Sequence, residues 1–456
     1  MNSVELREII DESRKKRNVP GVSAAMHADG TTSVAAAGLA NVSTGVEMTA
    51  QTVAHVGSIT KVINATLVMQ LVEEGKIVLD RRISDYLTAF RVRGSDVARE
   101  ITIEMLLNHT SGLGANLLPD VGHDRETIVN TVTRVADVPQ LHAPGEARSY
   151  CNAGTVVAGY LCQCIAGESW HDLVKKKIYG PLGLEHAAVL PEDALLHRAS
   201  VGHFLDPSTG VVSRTSTMFL PLGYAPAGST NMMTAIDLLT FTRAHMADGV
   251  GQNGAHILSK ENAVRMRGRS GDPESQAFDS GIGWRRFNGL VSHGGGGPGI
   301  VSFVCADVPS QTAAVVLTNA EHGIEVLMDV IVPFMKGHAG VEPIPSMPTA
   351  TPDLAIDPAR YAGLYENNTV SHEVTARDGR LFWTAKIKHQ YYDSSRLEAA
   401  PAVELVPAGV DCFLAGAGAS ALAHTPMVPI AFRGHDATGR SNFLVEQLWM
   451  FARTSA

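Results

Sequence analysis

The chain has 456 residues, 45% of them hydrophobic and 18% charged, a globular balance with length for about two to four domains. Its formal net charge is −9 and no basic stripe is interleaved with aromatic residues, which argues against nucleic acid as a partner. No run of about 18 apolar residues suggests a membrane span. The start of the chain lacks a basic segment followed by an apolar one, so a cytoplasmic location is expected.

A polar, amphipathic helix is expected over residues 4–16, ending before Asn18-Val19-Pro20-Gly21. The basic run 14–17 reads as its solvent face. Two strands then flank a turn at Asp29-Gly30. Next comes His55-Val56-Gly57-Ser58-Ile59-Thr60-Lys61, leading into a heavily apolar helix that stops near Gly75. On a helix, positions i and i+3 share a face, so Ser58 and Lys61 adjoin one another. A serine hydroxyl needs a base to become a nucleophile. A lysine can serve if burial lowers its pKa. Val56, Ile59, Val62 and Ile63 provide apolar surroundings, and Gly57 lets another backbone approach. The competing reading is a serine at a helix start with a surface lysine nearby. Ser13 and Lys16 repeat the spacing on a polar helix without that setting.

Pro144-Gly145 marks a turn, after which Tyr150-Cys151-Asn152 stands on the loop before a buried helix. A tyrosine close to two cations can act as a phenolate base; alone it reads rather as a core tyrosine with a satisfied hydroxyl. Tyr365-Glu366-Asn367 repeats the triplet much later. Cys162 and Cys164 lie in that buried helix as free, buried thiols, and an odd total of five cysteines fits a reduced compartment. Another amphipathic helix is expected over 234–249. Gly281-Ile282-Gly283-Trp284 then opens a series of strands that includes His293 and the four glycines 294–297. Bare backbone N–H groups there can hold an oxyanion, although a tight hairpin fits as well. A strand follows where a dinucleotide site requires a helix, and no His-Glu-x-x-His or comparable ligand set occurs. Neither cofactor nor metal is expected.

Residues 339–353 carry four prolines and read as a linker between a first domain, 1–338, and a second, 354–456. In the second, short strands recur around hairpin signals at Asp378-Gly379 and Thr438-Gly439, as in a small β barrel or sandwich.

The ordered set Ser58-x-x-Lys61, Tyr150-x-Asn152 and His293-x-Gly295 resembles the serine β-lactamase and penicillin-recognising superfamily. More narrowly it is similar to the branch of class C β-lactamases, esterases and D-aminopeptidases. Leu106-Leu107-Asn108-His109-Thr110-Ser111-Gly112-Leu113 and Tyr179-Gly180-Pro181-Leu182-Gly183-Leu184 add to the likeness, which spans about residues 18–335. The segment 354–456 is similar to the lipocalin-like barrel appended to some members. The resemblance implies an α+β fold: an antiparallel sheet flanked by helices, a helical lobe, and a small all-β barrel after it. It implies that Ser58 is acylated, that Lys61 and Tyr150 share the base work, and that the N–H groups of Ser58 and Gly296 stabilise the oxyanion. Asn152, His293 and Gly295 would line the substrate site, with Ser111 in a structural turn nearby. His293 stands where true lactamases carry lysine, so a permanent cation is lost or becomes pH-dependent. The expected activity is hydrolysis of a small amide or short, D-configured or unusual peptide. A carboxylesterase or acyltransferase on the same scaffold and a non-catalytic ligand- or partner-binding homologue are the alternatives. The expected partner is a small molecule or short peptide, and a homo-oligomer is compatible.

Overall fold

The computed structural model describes residues 1–92, 96–114, 122, 127–206, 208–270, 279–388, 401–416 and 427–454. An eight-stranded antiparallel sheet organises the first part. Its order is Val46–Glu47, Thr31–Asn41, Gly21–Ala28, Thr312–Thr318, Ile300–Asp307, Leu290–Gly297, Arg285–Phe287 and Asp279–Ser280. Strands from the beginning and the end of this first part therefore meet at its centre, where Ala24 lies opposite Val316.

Alternation along Gly21–Ala28 assigns the two faces. Val22, Ala24 and Met26 join Leu6 and Ile10 of the helix Ser3–Lys16 and Val330 and Ile331 of the helix Ile324–Ala339. Ala25 turns the other way, into the larger core of the helical lobe. There the helix Thr60–Glu73 is buried on nearly every side, from Thr60 to Met69 without a break. Such a helix is a core element, and its polar side chains need internal partners. Asn64 has them: it donates to the Thr155 carbonyl at 3.1 Å and accepts from Trp170 Nε1 at 2.8 Å. Gly75, at φ +68°, ends this stretch as expected.

Two expectations are corrected. The run 14–17 is a solvent face only in part: Lys15 and Lys16 are exposed, but the first and last helices pack side by side and Arg17 is drawn into their contact. Arg17 pairs with Asp329 at 3.0 Å and with Glu325 at 2.7 Å, and the buried Ser13 donates to Asp329 at 2.9 Å. Cys162 is buried but Cys164 is exposed, since the helix Asn152–Ala166 turns its last part outward.

Beyond Ala339 no regular element occurs until Pro358. Eight antiparallel strands, from Gly363–Glu366 to Trp449–Thr454, then close a barrel by pairing Leu364 with Thr454. Closure removes the exposed sheet edges that invite aggregation. Trp383, Tyr365, Phe413, Phe432 and Phe451 fill the interior. Tyr365 Oη donates to the Tyr361 carbonyl at 2.7 Å, so the second Tyr-x-Asn triplet is a core feature. No helix among the described residues is long and apolar enough to cross a membrane.

Candidate active site

Ser58 sits in the single turn Gly57–Ile59 that feeds the helix Thr60–Glu73. Gly57 holds a left-handed φ of +52°, and a Cβ there would come within 2.8 Å of the Gly296 nitrogen. The turn can thus lie directly on the glycine strand, which brings Ser58 and Gly296 together. Ser302 Oγ pins the contact by donating to the Val56 carbonyl at 2.9 Å. A Cβ on Gly295 would overlap both Val56 O and Ser302 Oγ, whereas one on Gly296 would meet open space. The glycine run therefore serves two purposes: one residue makes room for the turn, and its neighbour leaves the cleft clear.

Lys61 is 2% exposed, and its Nζ donates to Ser58 Oγ at 3.0 Å and to the Ala227 carbonyl at 2.7 Å. Burial moves its pKa below the ordinary lysine value, against the opposing pull of Tyr150. The ammonium nitrogen lies 4.9 Å from the centre of the Tyr150 ring. Burial by itself pushes the Tyr150 phenol up, but Lys61 and Arg285 together outweigh it and the net displacement is downward.

The loop carrying Tyr150 is held by the stretch 106–113. His109 ends the helix Ile103–Asn108 in a left-handed conformation, φ +68°. Its carbonyl accepts from Ser149 N at 2.9 Å and its Nδ1 from Cys151 N at 3.2 Å, which places the proton of the neutral ring on Nε2. The imidazole also packs against the Tyr150 ring, with centroids 4.5 Å apart. Ser111 is buried in the turn beyond, and a Cβ on Gly112 would overlap the His142 carbonyl. Asn152 is the first residue of the following helix rather than part of the loop, and is half-buried.

His293 is buried on the glycine strand, 6.5 Å from Tyr150 between ring centroids. Burial, then Arg285 and Lys61, hold its pKa well below 6.5. It is therefore neutral through the physiological range, so that of the two expectations for the cation, lost or pH-dependent, the geometry favours its loss. Its Nδ1 must donate to the Gly294 carbonyl, 2.7 Å away, leaving the lone pair on Nε2. Ser58, Lys61, Tyr150, His293, Gly295 and Gly296 thus come from three distant segments to one place, with Asn152 two positions along the chain from Tyr150. Among the described residues no group of three His, Cys, Asp or Glu side chains is placed to hold a metal ion.

Sequence reading missed three neighbours. The Arg285 guanidinium lies 5.4 Å from the Tyr150 ring centre. Arg148 is buried beside it, its pKa lowered to about 10 by burial and by Arg285. The third is Trp449 of the barrel, which meets Tyr150 edge-on at 6.0 Å. Its hairpin is tied to the loop by Tyr150 N donating to Leu448 O at 3.0 Å and Met450 N to Ser149 Oγ at 3.3 Å. The two arginines were legible only as charges in an expected strand and loop; Trp449 gave no local signal.

The Beta-lactamase family model matches residues 6–329. Penicillin-binding protein 4 of Amycolatopsis lactamdurans is 34% identical over 369 residues, covering 79% of this chain and 96% of its own. Among solved structures, SurE superposes with a TM-score of 0.79 at 23% identity, over 99% of both chains, and has also been solved with D-Leu. The D-amino acid amidase of Ochrobactrum anthropi SV3 gives 0.60 at 24% identity, over 73% of this chain and 98% of that one. The structural likenesses show a shared fold, which with SurE extends over 99% of both chains. With the match to the family model and the 34% identical relative, they place the chain in the β-lactamase family.

Proposed function

We propose that the protein is a serine hydrolase that forms an acyl-enzyme on a small amide or short peptide, with a preference for a D-configured residue. The observation that carries the reading is the 3.0 Å contact between Ser58 Oγ and the buried Lys61, with the Tyr150 ring against the same amine. In the first step Ser58 Oγ attacks the substrate carbonyl carbon and its proton passes to the Lys61–Tyr150 pair. The carbonyl oxygen becomes an oxyanion facing the N–H groups of Ser58 and Gly296. As the C–N bond breaks, the pair returns the proton to the leaving nitrogen. Water then repeats the sequence on the ester, releasing the acid and restoring Ser58. Asn152 orients a substrate amide. His293, neutral with its Nε2 lone pair free, serves as an acceptor for a substrate N–H and not as a counter-ion for a carboxylate.

The lean towards D-configured amides draws on the relatives, one of which is named a D-amino acid amidase. The test is a panel of matched D- and L-aminoacyl amides and esters, with Ser58→Ala protein as the blank. Faster turnover of D-amides than of their L-counterparts is expected; quick turnover of simple esters with no amide cleaved would instead establish an esterase.

The shifts fix the direction of the pH dependence. Lys61 and Tyr150 are both displaced below their ordinary values of 10.5 and 10.0, and the active form is the one lacking a proton. Activity is expected to be lost as pH falls through the apparent pKa of the pair, and to rise to a plateau that begins below those values. A flat rate from acidic to alkaline pH would contradict this role.

Trp449→Ala removes an edge-on aromatic contact worth about 0.5–1.5 kcal/mol and loosens the Tyr150 loop. Turnover is expected to fall about ten-fold, a barrier change of about 1.4 kcal/mol, with the circular dichroism spectrum unchanged. Unaltered turnover would mean that the barrel only tethers itself there.

A further inference from the structure

We propose that Arg285 is a positioning residue for this reaction: its fixed positive charge, held against the Tyr150 ring, sets the pH at which the Lys61–Tyr150 pair gives up a proton. The inference rests on the functional reading above and adds a residue to it.

Arg285 belongs to the short strand Arg285–Phe287, beside the glycine strand and paired with Ser292. Its guanidinium carbon stands 5.4 Å from the Tyr150 ring centre, and a Cβ on Gly294 would lie 3.8 Å from its Nη1. The groups around Tyr150 can be taken element by element. Lys61 and Ser58 face it from the turn and helix at 57–73, His109 from the end of the helix Ile103–Asn108, and His293 from the glycine strand. Cys151 and Arg148 flank it on its own loop, and Trp449 comes from the barrel. Both imidazoles are neutral, and burial raises the Cys151 thiol to about 11, so neither type supplies charge at working pH. The fixed cations are Arg285 and Arg148, and Arg285 stands over the ring.

A fixed positive charge disfavours every state of the pair that holds an extra proton, whichever member carries it. Arg285 lowers the pKa of Lys61 by repulsion and that of Tyr150 by attraction. The sign of its effect is therefore independent of how the proton is divided between amine and phenol.

The test is the pH dependence of Ser58 labelling by a fluorophosphonate in wild-type, Arg285→Lys and Arg285→Gln proteins, with melting temperatures measured in parallel. A parallel titration follows tyrosinate ultraviolet absorbance, with Tyr150→Phe as the blank. In Arg285→Gln the midpoint of the labelling profile and of the Tyr150 titration should both move up by about one to two pH units, with the alkaline plateau kept within a few-fold. Arg285→Lys should stay near the wild-type midpoint. An unmoved midpoint in a folded Arg285→Gln protein, or a rate lowered equally at every pH, would overturn the proposal. Failure of the wild-type protein to label at Ser58 would strike the functional reading instead, and the absorbance titration would still report on Arg285.

Discussion

Ser58→Ala is expected to lower turnover of every substrate by about 1,000-fold or more while leaving the fold intact, because the hydroxyl is half-exposed at the cleft and its loss leaves little void. Lys61→Met should have an effect of the same order, since the base is lost while the nucleophile remains. The double variant should be hardly worse than either single one, because residues that act as a unit lose their function once. Lys61→Met carries a second signature. The folded state disfavours the protonated amine, so below its ordinary pKa the buried Lys61 weakens the native state relative to the unfolded chain, where the amine is solvated. An unbranched apolar side chain of similar length removes that penalty. The variant is therefore expected to melt at a higher temperature than wild type, with the gain shrinking as pH rises towards the lysine range. A lower melting temperature at neutral pH would show that the contacts of Lys61 with Ser58 and Ala227 outweigh the cost of its burial.

Gly295→Val should be the most damaging change on the glycine strand. Its Cβ would overlap the Val56 carbonyl and the Ser302 hydroxyl, and backbone has no rotamer with which to retreat. Overpacking of this kind costs about 1–3 kcal/mol of stability. The consequence for catalysis is larger, because the turn that carries Ser58 is pushed off the strand. A displacement of about 1 Å can cost about 100-fold in rate. Gly296→Ala is the control: its Cβ points into open space, so the melting temperature should stay where it was. Thermal unfolding and turnover of the two variants, side by side, separate a glycine needed for packing from one that keeps the cleft clear. Equal stability of the two variants would contradict that division.

The sequence carried much of this architecture, for identifiable reasons. Ser58 and Lys61 were legible because their contact is local, three residues apart at a helix start, and because apolar neighbours announced a buried lysine. The glycine run was legible because so many bare positions in a row need a physical reason. Its meaning, a turn pressed on a strand, depended on Gly57 meeting Gly296 across 239 positions, which spacing alone does not give. Tyr150 was recognisable only within the ordered set, since Tyr365 offers the same triplet and proves to be core. Arg285 and Arg148 were not legible as site residues. An arginine in a strand reads as an edge or solvent-facing charge until its neighbours are known. Ser13 and Arg17 misled for the same reason: the partner that buries them, Asp329, lies at the far end of the first sheet's sequence. Trp449 lies 299 residues beyond Tyr150 and in the barrel, so nothing local could connect them.

The most direct measurement is the mass of the intact protein after brief exposure to a fluorophosphonate, followed by peptide mapping, in wild-type and Ser58→Ala proteins. One adduct per chain, located on the peptide that contains Ser58 and missing from the alanine variant, is the expected result. An adduct on another residue such as Ser111, or substrate turnover that proceeds undiminished in Ser58→Ala protein, would contradict an acyl-serine at this position.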